Sequence, residues 1–182
     1  MKNKQVSKIT YILCALFPMA LLIALDRITK MAAVKHLKDQ SPIVWIEGVF
    51  ELAYLENKGI AFGMLTNQRI PIMILGIIIL IGIGYCFYKL PVTKRFLPLQ
   101  VILVTIGAGA IGNLYDRIFY GFVVDFFYFS LIDFQVFNVA DIYVTCSAFA
   151  LFIFILFYYK EEDFSFLSKS SIIKANAGDE HE

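Results

Sequence analysis

A chain of 182 residues that is 59% hydrophobic and only 17% charged is too apolar for an ordinary soluble domain, which carries about 45–50% apolar and about 25% charged residues. Sixteen Lys and Arg against fifteen Asp and Glu leave a net charge of +1, so no cationic surplus exists to grip a phosphate backbone and nucleic-acid binding is not expected. Two histidines, His36 and His181, exclude a His-rich metal site and argue against a Ser-His-Asp triad.

Cys14, Cys86 and Cys146 all fall inside apolar runs. Three cysteines without a pairing pattern form no disulfide framework and read as small buried hydrophobes. Cys14 follows Leu13 rather than a small residue, and apolar sequence continues past it. The N-terminal segment is therefore not expected to be a cleavable leader.

Four charge-free stretches, 9–25, 70–88, 96–115 and 142–159, run 17, 19, 20 and 18 residues. At about 1.5 Å per helical residue each roughly spans a hydrocarbon core of about 30 Å. In chain order, the first stretch ends at Asp26-Arg27 and leads into a long connection, 27–69, whose start can continue the helix. Within it, Ile43-Val44-Trp45-Ile46, then Glu47-Gly48, then Val49 to Leu55 read as short strands around a glycine. Trp45 and Tyr54 suit the headgroup layer. A tight turn with Lys89, Lys94 and Arg95 joins the second and third stretches. The next connection, 117–139, is rich in aromatics and reads as interfacial, and 161–182 reads as a polar tail that frays. The expected fold is an all-α membrane protein: residues 1–160 form four transmembrane helices with a small extracytoplasmic β-rich loop between helices 1 and 2.

Four spans place both termini on one side. Lys2, Lys4 and Lys8 crowd the N-terminus, and the turn and the tail add six more basic residues to that side, against seven opposite. Basic residues in short segments mark the cytoplasmic side, so the termini are expected to be cytoplasmic. Whichever way the chain faces, this topology gathers Asp26, Asn57, Asn113, Asp116, Arg117, Asp125, Asn138 and Asp141 at one leaflet, the outer one on this reading.

Carboxylates at membrane depth persist when paired, hydrated or functional. Asp125 sits in the apolar run Phe122-Val123-Val124-Asp125-Phe126-Phe127, and Asp141 begins an apolar helix. Two acids brought together in such a place share one proton, and a protonated and an ionised carboxyl make a general acid–base pair able to turn water on an amide. The residue types leave other roles open: Asp141 can cap a helix, and Asp116 with Arg117 can be a structural ion pair. Gly107-Ala108-Gly109-Ala110-Ile111-Gly112 spells a dinucleotide-binding fingerprint, with Asp133 about 20 residues on. Its place inside a span argues instead for close helix packing through Ala108 and Gly112.

The motifs taken together resemble the lipoprotein signal peptidases, the signal peptidase II family. Asp26-Arg27-Ile28-Thr29-Lys30 resembles its Asp-Gln-x-Thr/Ser-Lys, and Asn57-Lys58-Gly59-Ile60-Ala61-Phe62 its Asn-x-Gly-Ala-Ala-Phe. Gly109 to Arg117 matches Gly-Ala-x-Gly-Asn-x-x-Asp-Arg, Gly121 to Phe126 matches Gly-x-Val-x-Asp-Phe, and Phe137 to Asp141 matches Phe-Asn-x-Ala-Asp. Arg27, Ile60 and Ser147 depart from the usual Gln, Ala and Gly. The resemblance implies a membrane aspartyl endopeptidase that cuts prolipoproteins just before a diacylglyceryl-modified cysteine. Its catalytic aspartates fall on Asp125 and Asp141. Its substrate-binding or supporting residues fall on Asp26, Asn57, Gly59, Asn113, Asp116, Arg117 and Asn138. Asn57 and Asn138 are expected to hold peptide or carboxyl groups, Arg117 to orient Asp116 or a substrate carbonyl, and the Asn57–Phe62 stretch to cover the site. No metal or cofactor is expected. The expected partners are prolipoprotein substrates and membrane lipid, the expected state is a monomer, and the expected location is the bacterial cytoplasmic (inner) membrane. The rival reading, a small proton-coupled transporter or channel subunit, calls for acids in mid-span along a path, and these span interiors are free of charge.

Overall fold

The computed structural model describes residues 8–59 and 68–167. Helix α1 covers Lys8–Leu37, α2 Arg69–Lys89, α3 Leu97–Phe119 and α4 Val139–Phe157. All four are long and apolar enough to cross a membrane. Each charge-free stretch falls largely within one of these helices; α1 and α3 run on past theirs, as the sequence allowed for α1. Asp26, Arg27 and Lys30 lie inside α1 rather than beyond its end, and Asp116 and Arg117 lie inside α3. A helix need not stop at a charge that finds its partner within the bundle, and these do.

Strands β1 (Ile43–Ile46), β2 (Phe50–Asn57) and β3 (Val123–Tyr128) form an antiparallel sheet in the order β1-β2-β3. The first connection supplies two strands, as its apolar β-formers around Gly48 predict. The third comes from the aromatic connection 117–139, where sequence suggested only an interfacial loop. Leu55 lies opposite Asp125 and Asn57 opposite Val123. The sheet sits on the end of α1, where Val124 and Phe126 pack with Ala33 and Leu37. At the opposite end Leu90, Phe96, Leu99, Leu103 and Tyr159 form a second cluster. The tail expected to fray starts as a 3-10 helix, Glu161–Leu167, whose Phe164 and Phe166 pack onto that cluster. Asp163 is tied to Arg95 at 2.8 Å. Residues 168–182, with Lys169, Lys174 and His181, lie outside the described residues, as do Lys2, Lys4 and Ile60 to Phe62.

The glycine-rich run is continuous helix in mid-α3, so it offers no phosphate-binding loop. Its glycines admit close neighbours. A Cβ on Gly109 would stand 2.6 Å from the Ala140 carbonyl oxygen of α4, and one on Gly112 would stand 2.6 Å from Asp26 Oδ2 of α1. Close packing was the right expectation: Ala108 is fully buried, Gly112 meets Asp26, and Gly109 adds a close approach to the α4 backbone. The Gly109→Ala variant is expected to lose about 1–3 kcal/mol, the range for forcing atoms into a full interior, read as a lowered midpoint of thermal unfolding in detergent. The cysteines are free, and here the expectation of burial fails for two of them: Cys14 and Cys146 are exposed on the protein surface and Cys86 is half-buried. On membrane helices an outward apolar side chain meets lipid, so apolar sequence does not imply a protein interior.

Candidate active site

The site is assembled by three local devices. The first is the end of the sheet, where pairing of Asn57 with Val123 sets the Asn57 side chain against β3. Asn57 Nδ2 donates to Asp125 Oδ2 at 2.8 Å, while its Oδ1 accepts from Gly59 N at 2.9 Å. The second is a bridge between Phe127 and Phe137, each backbone N–H donating to the other's carbonyl, at 2.8 and 3.0 Å. It sets Asn138 beside Asp125, and Asn138 Nδ2 donates to Asp125 Oδ1 at 2.6 Å. The third is the start of α4. Asn138 is its N-cap and Asp141 its N3 residue, and the two exchange side chain-to-backbone bonds as a capping box. Asp141 N donates to Asn138 Oδ1 at 3.0 Å, and Asn138 N donates to Asp141 Oδ2 at 3.1 Å. The open role as a helix cap is thus real, and it is also what fixes Asp141 next to Asp125.

Asn113 of α3 completes the ring: its Nδ2 donates to Asp141 Oδ1 at 2.8 Å, and its Oδ1 accepts from Asn138 Nδ2 at 3.1 Å. Asn57, Asn113 and Asn138 therefore serve the two carboxyls directly. Burial pushes the Asp125 carboxyl up to about 7, and the nearby Asp141 charge pushes the same way against the opposing bonds from Asn57 and Asn138. A carboxyl that holds its proton near neutral pH beside a second carboxyl is equipped for acid–base work.

Behind this ring lies a buried charge cluster. Lys30 is fully buried, and its Nζ meets Asp26 Oδ2 at 2.9 Å, Asp116 Oδ2 at 3.0 Å and Asn113 Oδ1 at 2.9 Å. Asp26 Oδ1 accepts from Ala140 N at 3.0 Å, tying α1 to the first turn of α4. Arg27 pairs with Asp116 Oδ1 at 2.7 Å and donates to the Tyr120 hydroxyl at 2.6 Å. Two cations thus balance two carboxylates, as charges removed from water require. The expected Asp116–Arg117 contact does not form. Asp116 is held by Lys30 and Arg27, whereas Arg117 reaches the Gly59 carbonyl at 2.8 Å. Lys30 was missed as a site residue. Its signal was available in the motif, since a Lys four residues after Asp26 returns to the same helix face.

The aspartates open onto a cavity of about 650 Å³ between α2, α3, α4 and β3. Ile72, Leu75 and Ile79 of α2 and Val144 of α4 give it apolar walls, and Asn57, Asn113 and Arg117 join Asp125 and Asp141 at its polar end. Of the sequence-derived candidates, Asp125, Asp141, Asn57, Asn113 and Asn138 form one hydrogen-bonded unit, Asp26 and Asp116 stand behind it, and Gly59 and Arg117 flank it. Ser147 is buried in α4, away from the two carboxyls.

The family model described as Signal peptidase (SPase) II matches residues 18–157. The chain is 42% identical over 137 residues to a lipoprotein signal peptidase of Clostridium novyi (strain NT), covering 74% of this chain and 91% of that one. It is 40% identical over 138 residues to a lipoprotein signal peptidase of Clostridioides difficile (strain 630), covering 76% and 91%. A solved bacterial membrane enzyme, determined by the in meso method at 2.3 Å resolution, superposes with a TM-score of 0.69 at 28% identity, covering 81% of this chain and 92% of that one. The transporter alternative finds no support among these relatives.

Proposed function

The chain belongs to the signal peptidase II family, and from that premise we propose how it cuts its substrate. It is a multi-pass bacterial membrane protease that removes signal peptides from prolipoproteins. Asp125 and Asp141 are its catalytic pair, and cleavage falls just before a diacylglyceryl-modified cysteine. The observation that carries this reading is the pair of carboxyls bridged by Asn138 and Asn113 at the polar end of an apolar cavity.

The signal helix enters sideways from the bilayer and lies along the apolar walls, with the diacylglyceryl chains left among lipid tails. Asp141 takes a proton from water, whose oxygen attacks the scissile carbonyl carbon. Asp125 gives its proton to the carbonyl oxygen, so a neutral diol forms. As the C–N bond breaks, Asp141 gives the proton it took from water to the leaving cysteine nitrogen and Asp125 takes one diol hydroxyl proton, so the signal peptide departs as a carboxylic acid and both carboxyls return to their starting states. Asn57 and Asn138 hold Asp125, and Asn113 holds Asp141, in the geometry for this exchange. Arg117, bound to the Gly59 carbonyl, fixes the edge of the site. The enzyme works as a monomer in the cytoplasmic membrane, with both termini cytoplasmic and the site near the outer leaflet. The crowding of Lys89, Lys94 and Arg95 at the end away from the sheet supports that orientation.

The pH dependence of cleavage tests the proton assignment. Asp125 must start protonated, so kcat/KM for a lipidated precursor is expected to fall as pH rises through about 7, a value that belongs to the pair as a coupled unit. A rate that climbs steadily to pH 9 contradicts the assignment.

A further inference from the structure

We propose that Lys30 is a positioning residue for the peptidase reaction, acting on Asp141 through the side-chain amide of Asn113. The inference rests on the catalytic reading of Asp125 and Asp141 given above.

An asparagine amide has a donor end and an acceptor end, and nothing in its shape decides which faces Asp141. Its partners decide. The Lys30 ammonium can only donate, is fully buried, and has three acceptors within 3.0 Å: Asp26 Oδ2, Asp116 Oδ2 and Asn113 Oδ1. Its three donors are therefore matched by three oxygens. Asn138 Nδ2 adds a second donor at Asn113 Oδ1, at 3.1 Å. With its oxygen held by two donors, Asn113 must turn Nδ2 to Asp141 Oδ1, at 2.8 Å. Without Lys30 only the longer bond from Asn138 Nδ2, at 3.1 Å, still holds that oxygen, and the amide is freer to turn over and present its oxygen to Asp141. Such an oxygen favours a protonated Asp141, which is the wrong state for a base. Asp26 and Asp116 hold Lys30 in place, and Ala140 N and Arg27 hold those carboxylates in turn. Lys30 itself is absent from the cavity wall. Its influence on the reaction should therefore leave substrate binding alone.

The experiment is a double-mutant cycle on the full chain in detergent, with a diacylglyceryl-modified prolipoprotein as substrate. Lys30→Met, Asn113→Ala and the double variant are compared with the parent in kcat and in KM. Loss of orientation at the reacting group is expected to lower kcat about 100-fold for Lys30→Met with KM within about threefold. The double variant is expected to match Asn113→Ala within about threefold, because the lysine has no amide left to orient. Losses that multiply, or a loss carried by KM, overturn the proposal. Lys30→Met leaves two buried carboxylates short of a cation. Should it not fold, the charge-balanced Lys30→Met/Asp116→Asn pair replaces it in both arms, with Asp116→Asn as reference. If that pair also fails to fold, Lys30 is a folding residue and the proposal is wrong. Asp141→Asn runs alongside. Retained cleavage there removes the catalytic reading itself, whereas an inactive Asp141→Asn with multiplying losses in the cycle removes only the role of Lys30.

Discussion

Replacing Asp125 or Asp141 with asparagine is expected to lower cleavage of a lipidated precursor at least about 1,000-fold, within the range that acid–base groups supply, while the fold survives. In the proposed mechanism the two residues do different work, and neither can be spared. An asparagine at 125 has no proton to give to the carbonyl oxygen, and one at 141 cannot take a proton from water. The double variant is expected to be scarcely worse than either single one, because residues that act as a unit lose their effect together. Folding is expected to persist because asparagine keeps the shape and part of the hydrogen bonding, and is itself a good helix cap. Asp133→Asn is the control. Asp133 lies on an exposed turn, at a positive φ of 47° that asparagine tolerates, and accepts a bond from Tyr128. It is expected to cut at the parent rate. Initial rates of precursor cleavage check all four variants.

Asp125→Asn is also expected to be more stable than the parent at pH 8 and to lose that advantage near pH 4. In the folded protein the Asp125 carboxyl titrates at about 7 against an ordinary 3.8. Between those values the native chain keeps a proton that the unfolded chain has released, so stability falls as pH rises across that window. Above it the buried charge costs about 4 kcal/mol, from about 1.4 kcal/mol for each tenfold change in proton affinity. Asparagine removes this charge. It also removes one acceptor, so the Asn57 and Asn138 donors cannot both be satisfied, a loss of about 1–2 kcal/mol. The net gain at pH 8 is about 2 kcal/mol, or several degrees in Tm. Below the unfolded value both states are protonated, the gain disappears, and only the lost bond remains. Thermal unfolding in detergent at the two pH values reads the crossing. A variant weaker than the parent by the same amount at both would contradict the account of Asp125. Strain of this kind is what a functional site imposes on stability.

The spans were legible because lipid demands long apolar helices, and β1 with β2 because apolar β-formers flank a glycine. What escaped the sequence were features settled by distant partners. That the first helix can run on past Asp26 was legible, but that Lys30 and Arg27 find Asp26 and Asp116 inside the bundle was not. The Val123–Tyr128 run reads as an aromatic loop until β2 offers it an edge. Arg117 follows Asp116 in sequence, yet successive residues on a helix point about 100° apart, and the two side chains reach different neighbours. The clustering of Asp125, Asp141 and the asparagines at one end of the helices followed from topology alone. Their pairing did not, because it depends on the Phe127–Phe137 bridge that carries Asn138 to Asp125.

The most direct measurement is a gel-shift assay with purified protein in detergent, offering a diacylglyceryl-modified prolipoprotein and the same precursor without lipid. The parent and Asp133→Asn are expected to cut only the lipidated form, and Asp125→Asn and Asp141→Asn neither form. Cleavage that persists in both aspartate variants, or a folded parent that cuts neither precursor, would contradict the central claim that these two carboxyls perform lipoprotein signal-peptide cleavage.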